Sequence, residues 1–432
     1  MTRTLLMLLI VLPVTAQAQT SVPVSAEEVI VQHVDEELER AVELLEASVN
    51  INSGTMNFDG VRQVGDLFRR EFDELGFRTE WIDGAAFNRA GHLVAVREAG
   101  GPKLLLIGHL DTVFPADSPF QEFEIVDQHF ARGPGTTDMK GGNVVMIQAL
   151  RALRAAGLLD DVSITAVLTG EEEKSGKPLG LAKKALIDAA IWADYAIGFE
   201  DGDGNPETAV ISRRGSSDWD LAVTGRPAHS SQIFKPDYGD GAVYEAARIL
   251  NRFRRELSRM ENLTFNPGFI VGGTDVSYDV DASGGSAFGK TNVIARSVHV
   301  RGDIRAISPE QLERAKQRMR EIVADNLPLT SAEITFGEGY PPMAPQEGNR
   351  ALLEMFDGIS RELGLGEVRA VDPRNAGAAD ISFTAEHVEM AMDGVGLMGS
   401  GGHTVDEVAD LRTLPQQTKR VAVLLYRLSR LQ

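Results

Sequence analysis

The stretch Leu104-Leu-Leu-Ile-Gly108 runs without a polar side chain straight into His109, Leu110 and Asp111. A short apolar run of this kind, bounded by charge, suits a strand buried on both faces, as strands in parallel sheets are. Open parallel sheets carry their chemistry just outside the carboxyl ends of the strands. His109 and Asp111 stand at such an end. Asp138 follows in the glycine-rich segment Gly133-Pro-Gly-Thr-Thr-Asp-Met-Lys-Gly-Gly142. The combination points to a metal site and raises the question of which later segments complete it.

The flanking pattern agrees with an α/β layer. Ser25-Ala-Glu-Glu28 is a capping box opening one long amphipathic helix through Val29, Val34, Leu38, Val42 and Leu45. A second helix is expected at 58–75, stopped by Gly76. Strands follow at 79–82, 92–96 and 104–108, then a helix at 142–156, a strand at 162–169, a helix at 179–190 and a strand at 193–199. Strands alternating with helices imply a mostly parallel sheet flanked by helices, spanning 25–211. From 212 to 329 the pattern becomes strand, helix, strand, strand, helix, strand, which suits an inserted α+β domain with an antiparallel sheet. Ser308-Pro309 with Gln311 opens its second helix. Residues 330–432 return to the first domain, with a helix at 350–363, short segments at 380–385 and 391–394, and a final helix from Leu414.

Charge and composition narrow the partners. Acidic residues outnumber basic ones by 63 to 43, a net charge of −20, which argues against nucleic-acid or anionic-membrane partners. Arg3, the apolar run at 5–14 and Ala16-Gln17-Ala18 have the layout of a cleaved signal peptide, residues 1–18. The run is shorter than the ~20 residues a membrane span needs. The chain contains no cysteine, which excludes disulfides and thiolate ligands or nucleophiles. The expectation is a secreted or periplasmic protein with no membrane attachment after cleavage.

Five places offer hard ligands beside strand ends or glycines: His109-x-Asp111, Asp138, Glu171-Glu172-Glu173, Glu200, and His403 after Gly401-Gly402. Two histidines among carboxylates suit zinc, with cobalt or manganese as substitutes. An aspartate two residues from a ligating histidine can accept its second N–H and so orient it. GxSxG and HExxH are both absent, which removes the serine-nucleophile and single-zinc helix layouts.

In order, GHLDTVFP, GPGTTDMKGG, GEEEKSG, the Glu200 strand end and GGHTVDE resemble the co-catalytic zinc exopeptidases. That family includes glutamate carboxypeptidase, aminoacylase, acetylornithine deacetylase and succinyl-diaminopimelate desuccinylase; the carboxypeptidase branch is the most similar. The resemblance implies a secreted dizinc hydrolase of an amide next to a free carboxylate, in a small peptide or an N-acyl amino acid. It implies that Asp138 bridges two Zn2+ ions, Glu173 and His403 complete one, and His109 and Glu200 the other. Asp111 would orient His109, and Glu172 would be the general base. His229, Asn292 and Arg305 would bind substrate from the inserted lid and dimerisation domain, within a homodimer. A one-residue slip would exchange the roles of Glu171, Glu172 and Glu173. At Gly337-Glu-Gly-Tyr340-Pro, glutamate-specific members of that family carry arginines, so this loop speaks against a glutamate preference. A binding protein of the same fold that captures ligand without turnover is the non-enzyme alternative.

Overall fold

The apolar run becomes the Lys103–His109 strand, fourth in a six-stranded sheet. The order across that sheet is Arg78–Asp83, Gly91–Arg97, Ser163–Thr169, Lys103–His109, Tyr195–Gly198 and Met390–Met392. The last four strands are parallel; Gly91–Arg97 runs antiparallel to them, and Arg78–Asp83, antiparallel to it, runs in their direction again. Leu104 and Leu106 face one core, Leu105 and Ile107 another, so alternate side chains of one strand are buried on opposite faces. This explains the run without alternation: there is no solvent face. Burial of each such side chain contributes about 1.5–3 kcal/mol. The computed structural model describes residues 25–279 and 284–431, and the expected leader lies outside them.

Helix Lys140–Ala155 covers one face and is itself covered by Ala26–Glu36, Leu38–Val49 and Thr413–Leu428. Helix Lys184–Trp192 covers the other face. Among the described residues no helix is long and apolar enough to cross a membrane.

Two expected helices are each divided. The first breaks at Glu37, which caps Ala26–Glu36 and opens Leu38–Val49, and both pieces still reach the same core. The expected 179–190 helix is Leu179–Ala182 followed by Lys184–Trp192. Lys183 stands at the joint with its side chain fully buried, drawn inward by two carboxylates described below. Of the two short C-terminal segments, Met390–Met392 is an edge strand, whereas Asp380–Phe383 is a 3₁₀ turn.

The second domain is an antiparallel sheet in the order Thr264–Gly273, Ser297–Arg305, Ser217–Gly225, Thr330–Phe336. Trp219, Leu221, Val298 and Val300 pack there against Ile249, Phe253, Met319 and Ile322 of its helices Gly241–Leu257 and Pro309–Ala324. Its fourth strand lies beyond the expected limit at residue 329. Seven cross-strand partners fasten Thr330–Phe336 to Ser217–Gly225, so this segment belongs with the inserted sheet. A hairpin of Asp275–Asp279 and Gly284–Phe288, which the pattern did not reveal, extends from the same domain. The two connections between domains lie side by side through Arg213–Met343 and Ser216–Tyr340 bridges.

Candidate metal centre

Three adjacent parallel strands end together, at Thr169, His109 and Gly198. The segments beyond them carry Glu171–Glu173, Asp111 and Glu200 to one edge of the sheet. A separate small sheet brings in the rest. Its strand Phe130–Arg132 leads directly into the Asp138 loop and pairs with Val408–Asp410, which returns from the His403 loop. Glu407 locks the two loops together: its carboxylate accepts from the backbone N–H of Gly135 at 3.1 Å and of Thr137 at 2.9 Å. Gly135 has φ +81°, and a Cβ on Gly142 would lie 1.8 Å from the Phe199 carbonyl oxygen, so glycine is required at both.

The resulting donors form two groups that share Asp138: His109, Asp138 and Glu200, and Asp138, Glu173 and His403. Asp138 Oδ1 lies 2.9 Å from His109 Nε2, and Oδ2 lies 2.8 Å from His403 Nε2. His403 Nε2 is 3.1 Å from Glu173 Oε2, and His109 Nε2 is 3.6 Å from Glu200 Oε1. His109 Nδ1 is 3.0 Å from the Asp111 carbonyl oxygen. A carbonyl only accepts, so in the neutral ring Nδ1 carries the proton and Nε2 turns its lone pair toward the carboxylates. Lone pair facing carboxylate is repulsive unless a proton or a metal cation lies between them. Glu173 Oε1 is buried without a partner, a second acceptor in need of a cation. These nitrogen and oxygen donors fit a pair of zinc-class ions.

The ionisation pattern expresses the same crowding. Burial opposes the imidazolium of His109, but Glu200, Asp111 and Asp138 outweigh it and raise its pKa well above the ordinary value. Burial raises Glu173 to about 7, with His403 opposing and Asp138 adding. Burial, then Asp138, holds Glu200 well above the carboxylate range. Burial would raise Asp138 as well, but both histidines pull it below that range.

The structure separates the three adjacent glutamates. Glu171 turns away from the metal groups: its Oε1 is 2.6 Å from Lys183 Nζ, and its Oε2 accepts from Gly176 N at 2.6 Å. Glu173 belongs to the His403 group. Among the described residues no donor reaches the Glu172 carboxylate; burial raises its pKa well above the usual range, which His109 opposes and Asp380 reinforces.

Asp111 has a broader task than orienting a histidine. Its carboxylate is 3.6 Å from His109 Nδ1, while its own carbonyl takes the closer contact. The carboxylate accepts from Glu172 N at 3.1 Å, Glu173 N at 3.2 Å and Thr55 Oγ1 at 2.6 Å. Asp111 therefore positions the glutamate loop as well as the histidine.

Several supports carry no local motif. Lys183 Nζ also meets Asp380 Oδ1 at 2.7 Å, and Asp380 Oδ2 accepts from Thr169 Oγ1 at 2.6 Å. Asp393 accepts from Glu200 N at 3.2 Å and pairs with Arg213 at 2.9 Å. Removing the cation alone leaves two buried carboxylates uncompensated. Lys183→Met is therefore expected to lower unfolding free energy by about 3–5 kcal/mol. Denaturant titration checks this, and most of the loss should return in Glu171→Gln/Lys183→Met/Asp380→Asn. An unchanged midpoint for Lys183→Met would refute it.

The three expected substrate residues lie in the second domain and are not gathered together. His229 and Asn292 are neighbours: His229 bridges to Val293, and Ser230 N donates to Asn292 O at 2.9 Å. Arg305 closes the opposite end of the Ser297–Arg305 strand, where it pairs with Asp303 at 3.1 Å. That end adjoins the interdomain connection, as Gly215 N donates to Ala306 O at 2.9 Å. Tyr340, expected to bear on substrate preference, points its hydroxyl into the protein, toward Glu172 O and Ser175.

Two domains, a largely parallel sheet and paired histidine–carboxylate groups at its strand ends define the class: a metal-dependent peptidase or amidohydrolase. The chain belongs to peptidase family M20/M25/M40, whose sequence profile matches residues 105–427. It is 26% identical over 416 residues to carboxypeptidase G2 of Pseudomonas sp. (strain RS-16), covering 94% of each chain. It is 25% identical over 393 residues to succinyl-diaminopimelate desuccinylase of Magnetococcus marinus, covering 84% of this chain and 92% of that one. Among solved structures, aminopeptidase PepT from Bacillus cereus shares the fold with a TM-score of 0.71 at 19% identity, over 91% of this chain and 99% of that one. A dinuclear metal-binding peptidase of the M20 family from Bacillus subtilis matches with a TM-score of 0.63 at 14% identity, over 91% and 98%.

Proposed function

We propose that this chain is an exported dizinc hydrolase that cleaves an amide bond beside a free carboxylate, as a carboxypeptidase does. The observation that carries this reading is Asp138 shared between two ligand groups, with the Glu172 carboxylate, which no donor reaches among the described residues, beside Glu173. When bound, the metal pair supplies an acidified water and a polarised carbonyl. Glu172 takes the proton of that water and passes it to the leaving amine. Arg305 suits a terminal carboxylate, because a guanidinium pairs with one bidentately. N-acyl amino acids and dipeptides present the same bond, and similarity to both carboxypeptidase G2 and a desuccinylase supports this breadth. The leader pattern at 1–18 and the absence of cysteine support export to the periplasm. Metal analysis of the mature protein, with a screen of dipeptides, N-acyl and folyl amino acids, tests the proposal. Hydrolysis of none by the metal-loaded chain would overturn it.

The separation of Arg305 from His229 and Asn292 favours a homodimer. The nine-residue strand between them spans on the order of 27 Å, beyond the reach of one amino-acid-sized substrate. His229 and Asn292 therefore serve the site of a second copy. Glu172→Gln and His229→Ala should each be nearly inactive with metal retained. Co-expressed mixed dimers should recover about half of wild-type turnover, because one of two symmetry-related sites is intact. Mixed dimers as inactive as their parents would sink the exchange.

A further inference from the structure

Tyr340 lies in the connection by which the chain returns from the second domain, and its backbone is fastened to the outgoing connection. Ser216 N donates to Tyr340 O at 2.9 Å. A Cβ on the preceding Gly339 would lie 2.0 Å from Ser216 O, so the two connections are in close apposition. The side chain leads elsewhere. Its hydroxyl lies 3.0 Å from the backbone carbonyl of Glu172, 3.1 Å from Ser175 Oγ and 3.3 Å from Asp380 Oδ1. Its ring packs edge-on against Phe383 at 4.9 Å, with Lys183 Nζ 5.0 Å from the ring centre.

A phenol has one proton to give, and the Glu172 carbonyl is the nearer of the two groups that can only accept it. Ser175 then donates to the phenol oxygen. The peptide of Glu172 is thus gripped from two directions. Asp111, just beyond the central strand, takes the N–H groups of Glu172 and Glu173, and Tyr340, from the interdomain connection, holds the Glu172 carbonyl. Among the described residues, Tyr340 is the one residue of these connections that hydrogen-bonds to the loop bearing Glu172 and Glu173.

Resting on the proposed amide hydrolysis, the geometry points to Tyr340 as a positioning residue that ties the Glu172 loop to the interdomain connection, so that the second domain's seating sets where Glu172 stands. Tyr340 acts through a backbone carbonyl and touches neither the ligand groups nor the Glu172 carboxylate. A displaced base costs turnover and leaves substrate affinity alone, since binding falls to other residues.

Tyr340→Phe keeps the ring against Phe383 and deletes only the hydroxyl. In the metal-loaded full chain, kcat should fall about tenfold, the value of one well-made hydrogen bond, with KM within about twofold and bound metal unchanged. Amide hydrogen exchange at Glu172, Glu173 and Gly176 should quicken by a similar factor, with or without substrate. Ser175→Ala retains the Tyr340–Glu172 bond and should change kcat less than about threefold. Unchanged exchange in Tyr340→Phe would overturn the proposal, as would a raised KM at unaltered kcat, which would make the hydroxyl a substrate contact. If the wild-type chain hydrolyses nothing, the functional reading fails, and the exchange measurement still decides this one.

Discussion

Glu172→Gln is expected to lower kcat by about 10²–10⁴-fold, the usual worth of a positioned proton-transfer group. The replacement is isosteric, and among the described residues no donor reaches the Glu172 carboxylate, so the change leaves no severed hydrogen bond. The backbone contacts to Asp111 and Tyr340 are also untouched. Metal content should therefore stay at the wild-type level and KM should change little. Steady-state kinetics beside metal analysis separate the cases. Full turnover with full metal would remove Glu172 from the chemistry; loss of metal would make it a ligand.

Asp138→Ala is expected to have the second large effect, abolishing turnover by at least about a thousandfold and weakening both metal positions together. The reason is geometric. Among the described residues, Asp138 is the only one common to both ligand groups, with one oxygen facing His109 and the other His403. Without it, each histidine retains a single carboxylate partner in its group, Glu200 or Glu173. Glu200→Ala should by contrast weaken one position more than the other. Stepwise metal titration followed by mass measurement distinguishes the two variants, and full, tight occupancy in Asp138→Ala would contradict a shared ligand. Chelation of the wild-type protein should abolish turnover, and added zinc should restore it.

The histidines and carboxylates that gather at the strand ends were legible because strand ends and glycines leave a local signature. A seven-residue strand without alternation, ending on His109, carries its own burial and its own position. Gly135 and Gly142 mark the Asp138 loop for the same reason: only glycine fits there. The residues behind the site were not legible. Lys183 sits in a helical pattern like any solvated lysine, and Asp380 lies 197 positions from it. Their meeting depends on how the Ser163–Thr169 strand, the Lys184–Trp192 helix and the C-terminal segment pack. The limit at residue 329 failed on similar grounds, because the membership of Thr330–Phe336 is decided by its pairing partner.

By itself the sequence determined the alternation of strands and helices, the insertion of a second domain, and which histidines and carboxylates have strand-end or glycine-rich surroundings. Those are consequences of local periodicity and backbone freedom. Tertiary structure alone decided which of three consecutive glutamates faces the metal groups. A single buried ammonium, Lys183, claims Glu171, Asp111 holds the two following N–H groups, and Glu172 and Glu173 are left to the site. Three identical side chains in a row have no local feature to tell them apart. Only contacts made by distant residues do.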